Sequence, residues 1–390
     1  MTACEPISTD VLLPVYGKRP LHIDRGEGAY VIDREGRRYL DFLTGIGVNA
    51  LGHSHPAIVR AIQEQAALCV HTSNVHAHHY QEPLAARLTA WSGMDHAFFC
   101  NSGTEAVEAA LKAARARANA SGRRRHRIVA LRNSFHGRTA GALSVTGQAK
   151  YQAPFLPLPP DVHFVTPNDV EDLERSVNEE TIAIIAETIQ GEGGVVPLSA
   201  AFLGAIRRLA TQWDALWIAD ETQCGLGRTG ARFAYQWEGL LPDVVVTAKP
   251  LGGGLPLGAA LFRDKAGAAI GYGMHGTTFG GGPLACRAAL AFLDEAERLL
   301  PSVRKMGALL HTRVEELAAR HARVREIRGR GLFAGIELDG PGEGAVQAAL
   351  ERGLIINCAQ GNVLRLLPPY IVTEEQIERA CAILDQVLRG

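Results

Sequence analysis

The sequence predicts an α/β protein with a doubly wound, mostly parallel sheet in a large domain and a small α+β C-terminal domain. Between about residues 97 and 262, short apolar segments alternate with amphipathic or alanine-rich ones. Several of these segments are continuously apolar, which is typical of parallel strands buried on both faces. From about residue 287 the pattern changes to one long helix followed by shorter strands and helices.

Each predicted element of the large sheet follows from this alternation. The strands are Ala97–Cys100, Arg127–Leu131, His163–Val165, Ile182–Glu187, Ala215–Asp220, Val244–Ala248 and Ala259–Phe262. The helices are Thr104–Ala118, Asp169–Val177 and Ala200–Gln212. Strand, helix and strand in repetition indicate right-handed crossovers, and hence helices on both faces of the sheet.

The two ends of the chain are expected to form separate units. Residues 1–60 are predicted as an N-terminal arm that packs with the small domain, residues 61–286 as the large domain and residues 287–390 as the small domain. The arm carries a hairpin, Ala29–Asp33 and Arg38–Leu43. The small domain comprises a long helix Arg287–His321, a segment Leu332–Leu338, a helix Gly344–Arg352, strands Leu354–Asn357 and Val363–Leu367, and a helix from Thr373.

Composition excludes several classes of protein. The 390 residues carry 40 Lys plus Arg against 41 Asp plus Glu, and 47% are hydrophobic, which is too apolar for a disordered chain. A net charge of −1 argues against nucleic acid or an anionic membrane as main partner. No apolar stretch approaches the ~18 residues that span a bilayer. The N-terminus lacks the pattern of a secretory signal, and seven scattered cysteines without a CxxC pair indicate reduced thiols and a cytoplasmic protein.

Polar residues that follow the strands are the first candidates for a site, because ligands of open α/β sheets bind beyond the carboxyl ends of the strands. Ser102, followed three residues later by Glu105, is a capping-box pattern at a helix start that suits an anion. Asp220 ends an apolar strand, where a carboxylate is costly unless it meets a cation. Lys249 ends another strand beside a glycine-rich loop, and a lysine in apolar surroundings is suited to Schiff-base chemistry. These patterns alone do not distinguish a functional role from a purely structural one, which would be a helix cap for Ser102, an ion pair for Asp220 and a side chain that reaches solvent for Lys249.

Two motifs suggest other classes of function. Gly225 to Gly230 match the dinucleotide pattern GxGxxG, but the strand–turn–helix context of that fingerprint is missing, which argues against a nicotinamide oxidoreductase. Histidines cluster at 71, 76, 78 and 79, with two more at 53 and 55. Their spacing does not match HExxH, so a metal site is not expected. The basic run from Arg123 to Arg127 is expected to be a solvated turn.

Taken together, the motifs resemble the class III, or subgroup II, aminotransferases of the pyridoxal-phosphate fold type I. The resemblance runs from about Leu21 to Leu384, and members acting on acetylornithine are the most similar. The matching blocks include FFCNSGTEAVEAALKAAR, SFHGRTAGALSVTGQAKY, AETIQGEGGVVP, ADETQCGLGRTG, PDVVVTAKPLGGGLPLGA, HGTTFGGGPLAC and VLRLLPPY. Ten such blocks in order are far more specific than any single motif.

The resemblance implies pyridoxal 5'-phosphate as cofactor and a role for each matching residue. Lys249 would bind the cofactor covalently and then move the proton between substrate carbon and cofactor, while Asp220 would keep the pyridine nitrogen protonated. The remaining cofactor contacts implied are Ser102, Gly103 and Thr104 at the phosphate, Phe135 on the ring face, Gln223 near the phenolic oxygen, and Thr278 at the phosphate of a neighbouring subunit. The last contact requires a homodimer with shared active sites.

The substrate residues are likewise implied by the resemblance. Arg138 would clamp a substrate carboxylate bidentately, Arg365 would bind the α-carboxylate of 2-oxoglutarate or glutamate, and Thr277 would lie beside the substrate. Glu192 would mask Arg365 while a terminal amine reacts. The expected reaction transfers the terminal amine of N2-acetylornithine to 2-oxoglutarate, a step of arginine biosynthesis. Ornithine, succinylornithine, lysine-pathway intermediates, GABA or β-alanine are the alternative donors.

Five positions depart from the family pattern. Pro250 follows the lysine where Gly or Ala is usual, and Thr222 stands where Val commonly packs under the ring. Val107 replaces an Asn. His76 and Ala77 replace tyrosines near the expected substrate entrance, which bears on the choice of amine donor.

Overall fold

The computed structural model describes residues 12–17, 19–122 and 125–389. The first eleven residues of the expected arm, and Arg123 and Arg124 of the expected basic turn, lie outside the described residues. Within the described ranges, no helix is both long and apolar enough to cross a membrane.

Seventeen strands and twelve α-helices are assigned within these ranges. The strands are β1 (Ile23–Glu27), β2 (Tyr30–Asp33), β3 (Arg38–Asp41), β4 (His96–Cys100), β5 (Arg127–Leu131), β6 (Val162–Val165), β7 (Thr181–Glu187), β8 (Ile189–Gln190), β9 (Val196–Pro197), β10 (Leu216–Asp220), β11 (Val244–Thr247), β12 (Gly258–Phe262), β13 (Val324–Arg330), β14 (Phe333–Leu338), β15 (Leu354–Ile355), β16 (Asn357–Ala359) and β17 (Val363–Leu366). The helices are α1 (Thr44–Gly47), α2 (Pro56–Ala66), α3 (Gln81–Ser92), α4 (Gly103–Ala120), α5 (Ala140–Ser144), α6 (Ala149–Gln152), α7 (Val170–Ser176), α8 (Ala200–Gln212), α9 (Asp264–Gly267), α10 (Pro283–Arg320), α11 (Glu343–Glu351) and α12 (Glu374–Arg389).

The central sheet has seven strands in the order β4-β12-β11-β10-β7-β5-β6. Its neighbours are parallel except where β12 pairs with β11 and β4. This confirms the predicted mostly parallel sheet, and each predicted strand lies within one residue of the observed bounds.

Both faces of this sheet are covered by helices, as a doubly wound fold requires. Alternate side chains of a strand point to opposite faces. In β10, Leu216 and Ile218 share one apolar cluster with α4, whereas Trp217 and Ala219 belong to the cluster that contains the apolar residues of α8. Burial on both sides explains why these strands read as continuously apolar.

Two smaller sheets flank the central one. The first has the order β1-β2-β3-β15, so a strand from the C-terminal part of the chain completes the sheet of the N-terminal hairpin. The second, β13-β14-β17-β16, is antiparallel throughout. Helix α10 begins at Pro283, which suits the first turn of a helix because proline lacks an N–H. The proposed boundary at 286/287 therefore falls inside this helix, about one turn from its start, and the three-part division stays a prediction.

The predicted single strand Leu354–Asn357 is wrong. Leu354 and Ile355 pair in parallel with β3, whereas Asn357 begins β16 and pairs with β17. The chain passes from the first of these sheets to the second at Ile356. An uninterrupted apolar segment does not indicate where such a change occurs. Strand β13 was not expected either, because its sequence VREIRGR is mostly polar and is only partly buried.

Candidate active site

A cavity of about 410 Å³ opens where β4, β5, β7, β10 and β11 end. Nine of the site residues expected from the sequence line it together: Ser102, Gly103, Thr104, Phe135, Arg138, Glu192, Asp220, Gln223 and Lys249. His136, Glu187 and Thr222 line it as well. The carboxyl ends of parallel strands thus converge on one concave site, as in open α/β sheets generally.

The start of helix α4 forms one wall. Ser102 caps the helix, because its hydroxyl accepts the N–H of Glu105 at 3.3 Å. A Cβ added to Gly103 would lie 2.9 Å from Thr222 Cγ2, so only glycine fits between the helix start and this side chain. The Thr104 hydroxyl accepts the backbone N–H groups of Arg138 and Thr139 at 3.1 and 3.3 Å. The helix start is therefore bound to the loop that follows β5.

Asp220 lies buried at the end of β10. A hydrogen bond of 2.7 Å joins its Oδ2 to His136 Nδ1, and its Oδ1 accepts the N–H of Thr222 at 3.0 Å. His136 Nε2 is buried and has no partner among the described residues. The sequence analysis singled out Asp220 but missed His136, although His136 stands inside the FHGR block that supplied Phe135 and Arg138.

Glu187 is a second buried carboxylate, directly opposite Asp220 in the pairing of β7 with β10. Its two oxygens accept the backbone N–H groups of Phe135 and Gly191, both at 2.9 Å. Burial raises the pKa of Glu187 to about 7, against the attraction of His136. The sequence analysis missed it, although the argument used for Asp220, a carboxylate at the end of an apolar strand, applies to it equally.

Lys249 opens a 3₁₀ turn, Lys249–Gly252, one residue after the end of β11. Burial lowers the pKa of its ammonium group, although the negative charges of Asp220 and Glu192 oppose the shift. Pro250 occupies the first turn, where a proline ring is tolerated because no N–H is required there. The departure from the family pattern at this position therefore leaves the turn intact.

Aromatic rings and one arginine form the outer wall. The Phe135 ring meets the Tyr151 ring edge-on, with centroids 6.0 Å apart. The guanidinium of Arg138 lies 4.0 Å from the Tyr151 centroid and 5.4 Å from that of Phe135. Arg138 is exposed, and within the described ranges no acceptor hydrogen-bonds its guanidinium. It is therefore free to bind an anion in the cavity.

Arg365 is fully buried next to the cavity. Its Nη1 donates to Glu192 Oε1 at 2.6 Å and to Gln223 Oε1 at 3.0 Å. Burial raises the pKa of Glu192, but the charge and hydrogen bond of Arg365 outweigh it, so the pKa lies below its ordinary value. Gln223 thus contacts Arg365 through its carbonyl, a contact that the sequence analysis did not anticipate.

Besides Arg365, two expected site residues do not line this cavity. The hydroxyl of Thr277 accepts the N–H of Gly280 at 3.2 Å and lies 3.4 Å from Asn101 Nδ2. Thr278 is exposed. Within one chain they are not part of the site, so their roles stay predictions that depend on a second subunit.

The histidines and the GxGxxG segment, which suggested other classes of function, have structural roles. His53 binds Asp41 at 2.8 Å and His78 binds the carbonyl of Gly281 at 2.7 Å. In the described part of the chain no group of three or more His, Cys, Asp or Glu side chains could hold a metal ion. The segment from Gly225 to Gly230 runs through turns and no helix follows it directly, so it lacks the context of a dinucleotide site.

Comparison with known proteins decides the family. The sequence profile named aminotransferase class III matches residues 14–388. The chain belongs to the class III aminotransferases. It is 45% identical to the acetylornithine aminotransferase of Aquifex aeolicus, over 97% of this chain and 99% of the relative.

Solved aminotransferase structures share the fold. The ornithine aminotransferase of Toxoplasma gondii is 30% identical, with a TM-score of 0.93 over 97% of this chain and 93% of its own. An amine transaminase from an uncultivated Pseudomonas species, solved in its PLP-bound form, is 31% identical, with a TM-score of 0.90 over 100% of this chain and 98% of its own. The expected fold type I is therefore confirmed for this aminotransferase.

The buried carboxyl of Glu187 makes the stability of this aminotransferase depend on pH. Its folded-state pKa of about 7 lies above the ordinary 4.5, so ionising it costs folding free energy as pH rises from about 4.5 through 7. In the apoprotein, Glu187→Gln removes this cost. Urea unfolding should show that, as pH rises from 5 to 8.5, the free energy of unfolding of the wild type falls by on the order of 3 kcal/mol relative to that of the variant.

Glu179→Gln is the matched control, because Glu179 is exposed. Its stability curve should run parallel to that of the wild type over the same pH range. If the Glu187→Gln curve also runs parallel to that of the wild type, the Glu187 carboxyl does not cause the pH dependence of stability.

Proposed function

We propose that the enzyme transfers the terminal amine of N2-acetylornithine to 2-oxoglutarate, giving N-acetylglutamate 5-semialdehyde and glutamate, in the arginine pathway of the cytoplasm. The observation that carries the proposal is the pair of arginines at one cavity: Arg138 is free, whereas Arg365 is masked by Glu192. The relative from Aquifex aeolicus named above supports this donor, and the free state of the described cysteines is in keeping with a reducing compartment.

The residues of the cavity fit pyridoxal phosphate. Its volume of about 410 Å³ is in the range of small-molecule sites, and it is lined by Ser102, Gly103 and Thr104 at the start of α4, where backbone N–H groups suit a phosphate. Ser102, Gly103 and Thr104 would hold that phosphate, Phe135 would cover the ring and Gln223 would lie near its phenolic oxygen. When bound, the cofactor supplies an aldehyde for the amino group and a ring that takes up the electron pair left on the substrate carbon.

Lys249 and Asp220 are the residues proposed to act on the reacting atoms. Burial lowers the pKa of Lys249 and so favours its neutral amine, the form that takes up and returns a proton at the substrate carbon. Asp220 holds a proton on the ring nitrogen through its charge. His136 orients that carboxylate by the 2.7 Å hydrogen bond.

The two arginines solve the problem of accepting two different substrates in one cavity. N-acetylornithine would place the carbon that bears its terminal amine next to Lys249 and its carboxylate against Arg138, with the ion pair between Glu192 and Arg365 closed. 2-Oxoglutarate presents one carboxylate to Arg138 and its α-carboxylate to Arg365, which requires Glu192 to move away. Thr277 is proposed to lie beside the substrate in the assembled enzyme.

A homodimer with shared sites completes the proposal. The segments around Thr278 and Asn74 pack on each other, since Asn74 Nδ2 donates to the carbonyls of Thr277 and Gly280. They expose several large apolar side chains: Val75, Tyr272, Met274 and Phe279. An apolar patch of this kind marks an interaction surface. A second copy seated on it would bring Thr278 to the phosphate of the neighbouring site.

Substrate choice is tested with the purified pyridoxal form. N-acetylornithine and glutamate should each bleach the absorbance of the bound cofactor rapidly, whereas GABA and free ornithine should do so slowly. The carboxylate of GABA lies one carbon closer to its amine, and the free α-ammonium of ornithine would be repelled by Arg138. Arg138→Ala should raise the KM for N-acetylornithine on the order of 10- to 100-fold through loss of a charge-assisted clamp. Lys249→Ala is the inactive control, and a wild-type preference for GABA or ornithine would refute the proposed donor.

The ion pair by which Glu192 masks Arg365, called the gate from here on, is tested with Glu192→Ala. Without this carboxylate Arg365 stays unmasked, so kcat/KM for glutamate should be retained while that for N-acetylornithine falls about tenfold or more. Stopped-flow traces of each donor alone measure the two half-reactions separately. An unchanged ratio between the two donors would show that Glu192 does not mask Arg365.

The dimer is tested with Phe279→Glu. Light scattering should give twice the mass of the chain for the wild type and a shift toward the monomer for the variant, because a buried unpaired carboxylate is costly at an interface. Ile23→Glu, at another exposed apolar position, is the control and should stay dimeric. Dimers from both variants would exclude this surface.

A further inference from the structure

The guanidinium of Arg365 is held at more points than the gate requires. Besides the contacts of Nη1 with Glu192 and Gln223, its Nε donates to Asn357 Oδ1 at 3.1 Å. Its Nη2 is buried and has no acceptor among the described residues. Three of the five N–H groups of this buried guanidinium are therefore engaged by three different side chains, and the two on Nη2 are left open.

Asn357 reaches Arg365 because of the sheet register. It is the first residue of β16, and it lies directly opposite Arg365 of β17 in an antiparallel pair. Directly opposed residues have their side chains on the same face. The amide oxygen of Asn357 is thus supplied by a strand pair of the small sheet, independently of the loop that carries Glu192.

The backbone around Glu192 is fixed from both sides. Glu187 accepts the N–H of Gly191 at 2.9 Å, and Gln360 Nε2 donates to the carbonyl of Glu192 at 2.7 Å. Arg328 donates to the carbonyl of Gly194 at 3.1 and 3.2 Å. Opening the gate therefore requires only a rotation of the Glu192 side chain, which is 27% exposed, while Arg365 is fully buried.

We propose that Asn357 is the positioning residue that keeps Arg365 oriented when Glu192 turns away. With Nε held, the edge formed by Nη1 and Nη2 faces the incoming α-carboxylate of the 2-oxo acid, and a bidentate pair forms without reorientation of the arginine. The gate then has one moving part, the Glu192 carboxylate, and one fixed part, the guanidinium. This inference rests on the proposed function and names the residue that makes its second half-reaction specific.

The test uses two amine acceptors on the pyridoxamine form of the holoenzyme. 2-Oxoglutarate needs Arg365 for its α-carboxylate, whereas N-acetylglutamate 5-semialdehyde does not. Asn357→Ala should raise the KM for 2-oxoglutarate about tenfold, the effect of losing one hydrogen bond to a charged group. The KM for the semialdehyde should stay within about twofold of the wild type. Asn357→Leu, of similar volume, should reproduce this split if the alanine variant does not fold.

Asn362→Ala is the matched control. Asn362 precedes β17 and its side chain donates to the carbonyl of Leu338 at 3.1 Å, away from Arg365. It should leave both KM values unchanged. Equal rises for both acceptors, or no rise for 2-oxoglutarate, in the Asn357 variants would overturn the positioning role. Failure of the wild type to use the semialdehyde would instead refute the proposed donor, and the 2-oxoglutarate data against Asn362→Ala would still decide the role of Asn357.

Discussion

Burial of charge beside Lys249 is the constraint on which the rest of the site depends. A charged group removed from water is costly unless opposite charges or hydrogen bonds meet it. Asp220 and Glu192 counter the loss of hydration at Lys249, whereas the positive charge of Arg365 adds to it. The result is a lysine whose pKa is lowered but whose surroundings are not apolar. Each carboxylate is in turn held by its own donors, so the balance is preorganised.

The charged groups that set this balance lie at or near the ends of strands. Asp220 and Glu187 are the last residues of their strands and Lys249 lies two residues beyond β11, and the other residues of these strands are buried. The apolar strands fix the backbone, and the residues at or just beyond their ends supply the charge. Because β7 and β10 are paired in register, two carboxylates arrive side by side, and the histidine after β5 reaches one of them.

Much of this could be predicted from the sequence, because buried parallel strands and helix caps leave local patterns. The bounds of β5 and α8 follow from such patterns without error. His136 and Glu187 were missed because their importance lies in what they contact, Asp220 in one case and two backbone N–H groups in the other. The split of the strand at Ile356 was missed for a related reason. A short apolar segment does not indicate which strand it pairs with when that strand, such as β3, lies hundreds of residues away in sequence. Thr278 could be placed in a site only through the family resemblance.

The change of sheet at Ile356 joins two regions that look unrelated in sequence. On one side of this residue the chain is a strand of the N-terminal hairpin sheet, and on the other it carries Asn357 into the sheet of Arg365. A single peptide unit cannot absorb a shift of either sheet without moving the other. Substitutions that reshape the hairpin and substitutions around the 2-oxo acid site are therefore expected to accumulate together among relatives, as compensating pairs.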